Sequence, residues 1–574
     1  MTRARAIGRQ VVAWAAAAGL LLAAAPARAT PHALDRRVVG ALEALAAEDV
    51  EGARAVVEPL LASDPDDPGV RLAAGILRFH EQRYGEAIDL IEASGLGDPS
   101  GYLALAKAAR DVTRDDDREE SEHFVVSHPK GKDRVLVPYL VETLEKERAL
   151  LGEALGYVPE GRLTVEIVET PRELARVSTL TDEEIRTSGT VAVCKFNKLM
   201  MLSPKALLKG YDWLDTAAHE YTHLVLTRKS KNRAPIWLQE GLAKWFEDDW
   251  RGGGEPVSPF SAALVREAVQ KDRLVSFEEM HPSLAKLPSQ ERAALAYAQV
   301  AMAVEYMVKS KGPNVLPRIL DLLAQGRRTE AAVSEAMAEP FDRFLADWKK
   351  YMAARPLPRG GEHELERLRF RDDPKHGGTW SEWAEMGDER ARGHARLGEI
   401  FRTRGRWVAA RIEYGKAYQR VGPRVPILAN QYALAALMSG AKSEAEKVLG
   451  EALEWSPDHP ALNVRMARLL LDRGQAEQAR THLLRANAQD PFDPEIHLAL
   501  TKAAEGLRDP ALAERARSAA ALLTGLPRER LDALLRRLPG PDADLSNVDV
   551  PPARPDPPEV PESAAPRRSP PTTN

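Results

Sequence analysis

Two histidines four residues apart, with a glutamate directly after the first, form the segment His219-Glu220-Tyr221-Thr222-His223. The flanking Thr216-Ala217-Ala218 and Leu224-Val225-Leu226 continue a helical pattern, and their small and apolar residues supply the side that buries it. Residues i and i+4 share one face of a helix, with Cβ atoms ~5–6 Å apart. Two imidazoles placed this way can converge on one Zn2+ at ~2.0–2.1 Å. Glu220 then points beside the ion rather than at it, where a general base for a metal-bound water belongs. With only 13 histidines in 574 residues, chance places such a pattern in roughly a few per hundred chains of this size.

A catalytic zinc needs a third protein ligand and one open position. The extended pattern HExxHxxGxxH is excluded, because Leu226 holds its glycine position and Lys229 its last histidine position. The other common solution takes a glutamate from the following helix. Pro235 can open such a helix, and Ile236-Trp237-Leu238-Gln239-Glu240-Gly241 follows it. Gly241 would let that helix approach its neighbour closely. Glu247 is the rival ligand, and a carboxylate capping a helix start is the plain alternative for Glu240. Asp215 is either an acceptor for an imidazole N–H or an ordinary acid in a first helical turn. The cluster Arg228, Lys229, Lys231 and Arg233 reads as a solvated loop between the two helices.

His219-Glu220-x-x-His223 followed by Trp237-x-x-Glu240-Gly241-x-Ala243 resembles the gluzincin zinc peptidases. More narrowly it resembles the peptidase MA-like group, which often carries tetratricopeptide repeats. The resemblance covers about 118–355. It implies ligation of Zn2+ by His219, His223 and Glu240, general-base catalysis by Glu220, and a peptide or protein substrate. It also matches Tyr297 to a tyrosine whose hydroxyl steadies an oxyanion, although a core tyrosine remains equally open. The family uses an edge strand ahead of the HExxH helix to receive the substrate backbone, and Gly189 to Lys195 is the candidate. No Gly-x-Met-Glu-Asn motif is found, so aminopeptidase specificity is unsupported.

The elements that must position these residues are a small sheet and a helical half. Glu122-His-Phe-Val-Val-Ser is β-rich, and Leu163-Thr-Val-Glu-Ile-Val alternates with period two, as a half-buried strand does. Thr190 to Lys195 and Lys198 to Leu202 read as two further strands around Asn197, and Pro138 to Leu155 as a long helix. From Trp213 to about Met352 the pattern is helical. The expected fold is mainly α with a small sheet. An α+β peptidase domain over 118–355 is flanked by repeat arrays of α-solenoid type.

A period of 34 residues marks those arrays. Ala445, Ala479 and Ala513 repeat at this spacing, as do Ala452, Ala486 and Ala520, Gly440 and Gly474, and Pro457 and Pro491. Gly398, Gly405, Ala410, Tyr414 and Ala417 fit the same template after a one-residue slip. This resembles the tetratricopeptide repeat, whose two helices cross on small residues. The match covers 390–525, a concave surface for a protein partner being implied. Ala53 and Ala87 share the spacing, so 30–115 reads as divergent repeats. Residues 356–389 form a linker, and 538–574 a disordered proline-rich tail.

The first residues read as an export signal. Arg3, Arg5 and Arg9 precede an apolar run from Val11 to Ala25, and Ala27-Arg28-Ala29 supplies a cleavage pattern. Cleavage after Ala29 leaves no spanning segment, and a bacterial periplasmic or secreted location is expected. Cys194 is the only cysteine, which precludes an internal disulfide and reads as a buried apolar residue rather than a nucleophile. A net charge of −5 gives no field suited to nucleic acid. Two functions fit this pattern. One is an exported zinc peptidase with docking repeats; the other is an envelope scaffold with a silent peptidase-like domain.

Overall fold

The computed structural model describes residues 34–98, 100–253, 257, 259–354, 368–372, 383 and 386–537. The expected export signal and proline-rich tail lie outside the described residues, as does most of the expected linker 356–389. Two compact units are present, Met1–Trp380 with Ala488–Phe492, and Ser381–Asn487 with Asp493–Asn574.

The first unit begins with helices α1 (Arg36–Ala46), α2 (Val50–Ser63), α3 (Pro68–His80), α4 (Tyr84–Ser94) and α5 (Tyr102–Thr113). Asp35, Asp49 and Asp67 start the first three, their carboxylates accepting the backbone N–H of Arg37, Gly52 and Val70. Ala53 and Ala87 are fully buried where successive helices cross. At Gly75 the approach is closest, since a Cβ there would stand 2.6 Å from Ile91 Cγ1 and 3.1 Å from the Ala87 carbonyl oxygen.

A sheet of five strands follows, β1 (Asp117–Glu120), β2 (Phe124–His128), β3 (Leu163–Val168), β4 (Ala192–Lys195) and β5 (Lys198–Leu202), in the order β1-β2-β3-β5-β4. The central pairs β2–β3 and β3–β5 are parallel and the outer pairs antiparallel. Helix α6 (Val137–Leu155) makes the crossover between β2 and β3. Short helices α7 (Pro171–Val177) and α8 (Asp182–Ser188) connect β3 to β4, and each starts on a threonine capping box, at Thr170 and Thr181.

Two features depart from the expectation. Strand β1 reads Asp-Arg-Glu-Glu, with no apolar residue for periodicity to detect, and owes its extended form to pairing with β2. Strand β3 is buried along its whole length rather than half-buried. Its polar residue Glu166 meets the N-terminal helices, where Tyr84 donates to one carboxylate oxygen and Lys198 Nζ lies 2.5 Å from the other. The alternation marks two covered faces, one apolar and one carrying a buried ion pair.

The helical half comprises α9 (Trp213–Lys229), α10 (Ile236–Phe246), α11 (Pro259–Gln270), α12 (Gln290–Lys311), α13 (Val315–Ala324), α14 (Thr329–Met337) and α15 (Phe341–Ala354). Helix α12 is the hub, packing on α10, α11, α13 and α15, and Val300 through Val304 on it are wholly buried. Among the described residues no helix is long and apolar enough to cross a membrane.

The second unit contains α16 (Glu389–Thr403), α17 (Trp407–Val421), α18 (Pro426–Met438), α19 (Lys442–Trp455), α20 (Pro460–Asp472), α21 (Ala476–Gln489) up to Asn487, α22 (Pro494–Leu507), α23 (Pro510–Thr524) and α24 (Arg528–Arg537). The alanines of the 34-residue period are its packing points, whereas Gly440 and Gly474 are exposed turn residues with positive φ. Ala445, Ala452, Ala479, Ala486 and Ala520 are fully buried. Gly398 faces the Tyr414 ring so closely that a Cβ would lie 2.7 Å from it.

Candidate metal centre

Helix α9 packs against the sheet and α6, and Trp213, Ala218 and Val225 on it are fully buried. This packing fixes the rotation of the helix and turns His219 and His223 away from the sheet toward α10. Their Nε2 atoms are 3.2 Å apart, with ring centroids separated by 4.9 Å. Helix α10 returns antiparallel and presents Glu240, whose Oε2 lies 3.4 Å from His219 Nε2 and 3.3 Å from His223 Nε2.

The three atoms form a nearly equilateral triangle. Donors bonded to one tetrahedral zinc at ~2.0–2.1 Å stand ~3.3–3.4 Å from one another, so these separations fit such an ion without rearrangement. Glu240 Oε2 is buried and has no hydrogen bond of good geometry. Among the described residues this is the one cluster of three His, Cys, Asp or Glu side chains whose ligand atoms all lie within 4.8 Å of one another. The electrostatics agree. Burial disfavours charge on His219, yet the Glu240 and Glu247 carboxylates overcome it and raise its pKa. Burial likewise works against an ionised Glu240, and the imidazoles of His223 and His219 hold its pKa down. The pocket stabilises positive charge at its centre.

Gly241 makes the approach of α10 possible. A Cβ at this position would lie 2.7 Å from the Val300 carbonyl oxygen of α12 and 3.0 Å from Val304 Cγ2. Only glycine lets the helix carrying Glu240 sit this low.

Glu247 lies on the opposite side of the His219 ring, its Oε2 3.1 Å from Nδ1. Its other oxygen accepts from the half-buried Lys244. It is therefore an orienting carboxylate rather than part of the triangle. The spacing held this signal, since 240, 244 and 247 share one helical face, but spacing cannot choose which ring nitrogen a carboxylate meets. Asp215 accepts from Trp250 Nε1 at 3.0 Å and pairs with Arg251, so it orients no imidazole.

Glu220 is half-buried beside the triangle. Burial pushes its carboxyl pKa up, and the His223 and His219 rings draw it part of the way back. Tyr297, on α12, places its ring centroid 6.0 Å from that of His219. Burial and the Glu240 and Glu220 carboxylates push its hydroxyl pKa well up, so it stays a neutral donor. Burial, reinforced by Glu220, pushes the pKa of the Cys194 thiol up as well, although the residue is half-buried rather than fully buried. The basic cluster is only in part the solvated loop expected of it: Lys231 and Arg233 are exposed, whereas Arg228 and Lys229 end α9 and are half-buried. Arg228 Nη1 lies 3.5 Å from a Glu51 oxygen, Lys229 Nζ 2.7 Å from Asp321 Oδ1, and Arg233 donates to the Ala324 carbonyl at 2.9 Å.

A model of the peptidase MA superfamily matches residues 146–354, and one of the tetratricopeptide repeat matches 436–503. No curated protein matches the chain. Among solved structures, yeast LTA4 hydrolase in complex with bestatin aligns at 12% identity over 74% of this chain and 66% of that chain, with a TM-score of 0.29. The native yeast LTA4 hydrolase aligns at 13% identity over 71% and 66%, with a TM-score of 0.27. A chain of the APC/C hetero-tetramer Cut9-Hcn1 aligns at 12% identity over 88% and 96%, with a TM-score of 0.24. The chain spans about two thirds of the length of those hydrolase chains. Residues 146–354 are thus a peptidase MA superfamily domain, joined in one chain to a tetratricopeptide-repeat segment.

Proposed function

We propose that this chain is an exported zinc-dependent peptidase. The observation that carries the reading is the triangle of His219 Nε2, His223 Nε2 and Glu240 Oε2, with Glu220 beside it. His219, His223 and Glu240 would hold the ion. When bound, zinc supplies Lewis acidity toward a water and a peptide carbonyl.

The remaining work falls to the chain's own residues. Glu220 takes the proton of the attacking water on its carboxylate and passes it to the leaving amine. The Tyr297 hydroxyl donates to the carbonyl oxygen as that oxygen gains charge. Strand β4, at the edge of the sheet, aligns the peptide backbone by adding it as a further strand. The repeats offer a concave surface to a protein partner or substrate. The basic residues, apolar run and Ala-Arg-Ala pattern ahead of Thr30 support export to a periplasmic or extracellular location.

The test is Glu220→Gln in purified full-length protein, with metal analysis and digestion of a peptide library. Zinc content should be unchanged and turnover should fall by about 10²–10⁴-fold. Full activity in this variant would overturn the assignment. A protein that neither contains nor takes up zinc would instead be a repeat scaffold with a silent peptidase-like domain.

A further inference from the structure

The turn between β4 and β5 consists of Phe196 and Asn197, both with positive φ, 57° and 60°. Two-residue turns of this kind match the twist of the strands they join. Asparagine adopts that backbone readily, whereas a bulky phenylalanine does so only when its surroundings compensate. Here the Phe196 ring is 5% exposed and is inserted among Phe79, His80 and Tyr102 of the N-terminal helices. The ring centroids lie 5.1, 5.8 and 5.9 Å away.

The backbone of the turn is held as well. Gln82 Nε2 donates to the Phe196 carbonyl at 3.4 Å, and the Phe196 N–H to Glu48 Oε1 at 3.5 Å. Asn197 Nδ2 donates to the His80 carbonyl at 3.4 Å, and Asn197 Oδ1 accepts from Arg228 at the end of α9. The N-terminal helices, the hairpin tip and the HExxH helix therefore meet at one point.

The same hairpin carries one edge strand of the sheet, β4. The Leu202 N–H donates to the Val191 carbonyl at 2.8 Å. By the alternation of an antiparallel ladder, Val193 and Lys195 then turn their backbone groups toward β5, and Ala192 and Cys194 turn theirs to the edge. Strand β4 packs against α9, the helix that carries Glu220.

We propose that the N-terminal repeats clamp the β4–β5 hairpin, making Phe196 and Asn197 positioning residues that hold the edge strand at a fixed height over Glu220. The role in turnover rests on the peptidase reading given above; the clamp itself does not. A peptide paired with Ala192 and Cys194 meets Glu220 in register only while the tip is seated.

The test uses full-length, zinc-loaded protein carrying Phe196→Ala, the milder Asn197→Gly or the conservative Phe196→Tyr. Amide hydrogen exchange is followed along the chain, together with zinc content and kcat and KM on an extended peptide and on a short amide. Exchange over residues 190–195 should rise about tenfold in the first two variants, with the α9 and α10 amides and zinc content unchanged. kcat/KM on the extended peptide should fall about 10–100-fold, the short amide should be affected less, and Phe196→Tyr should restore both. Exchange that is unchanged at 190–195, or that rises uniformly along the chain, overturns the clamp; should Phe196→Ala not fold, Asn197→Gly decides. Local loosening with kcat and KM unchanged overturns the positioning role. Local loosening in a protein whose wild type hydrolyses no peptide supports the clamp and counts against the peptidase reading alone.

Discussion

Glu247 Oε2 lies 3.1 Å from His219 Nδ1, and this contact decides which nitrogen of the ring is left for the triangle. With Nδ1–H donating to Glu247, the Nε2 lone pair is directed at Glu240 and His223. Carboxylates in this position fix the tautomer and orientation of an imidazole ligand. Glu247→Gln is expected to weaken zinc binding about 10–100-fold while retaining the fold, as measured by chelator competition. Unaltered affinity would mean that α9 alone orients the ring.

Gly241 tests the packing beneath the site. The nearest obstacle to a side chain there is the Val300 carbonyl oxygen, 2.7 Å from where a Cβ would stand. A backbone atom inside the wholly buried stretch Val300 to Val304 cannot step aside as a flexible side chain would. Gly241→Ala should cost about 1–3 kcal/mol, read as a lower Tm. It should weaken zinc binding too, because Glu240 must move with its helix.

The buried pair of Lys198 and Glu166, both fully inaccessible, gives a third expectation. Removing one charge strands the other in a dry interior, and Glu166→Leu should destabilise the first unit by about 3–5 kcal/mol. Replacing both, as Glu166→Leu with Lys198→Met, should recover most of that loss in chemical denaturation. A double variant as weak as the single one would show that the pair does more than neutralise itself.

His80 gives the docking of the N-terminal helices a pH dependence. Burial, with Lys198 and Lys195 nearby, lowers its pKa to about 3, against about 6.5 in an unfolded chain. Between those values the unfolded state binds the extra proton, so stability is fully present above pH 6.5 and declines as pH falls toward 3. The loss reaches about 2 kcal/mol by pH 5. The Tm difference between wild type and His80→Gln should therefore shrink from pH 8 to pH 5. A difference independent of pH would show that His80 charges freely in the folded state.

Much of this architecture can be read in local pattern. The HExxH spacing places two imidazoles on one face whatever surrounds them, because helical geometry alone determines it. The 34-residue alanine period marks the helix crossings for the same reason, since only small residues fit there. Strand β1 could not be read this way, because four charged residues carry no apolar rhythm and their extended form comes from β2. Arg228 and Lys229 looked like solvent-facing cations because their partners, Glu51, Asn197 and Asp321, are remote in sequence.

Periodicity, capping and i, i+4 spacing act within a few residues of chain, so most of the elements and the donor types were legible without tertiary context. The sequence by itself left Glu240 and Glu247 as rivals and gave β3 a solvent face. Tertiary structure decided that Glu240 meets the Nε2 atoms while Glu247 meets Nδ1, and that Tyr84 covers Glu166 from 82 residues away. The physical reason is that such choices depend on how low α10 sits on α12 and on which surface closes over a strand. These are properties of packing between distant segments, and no local pattern encodes them.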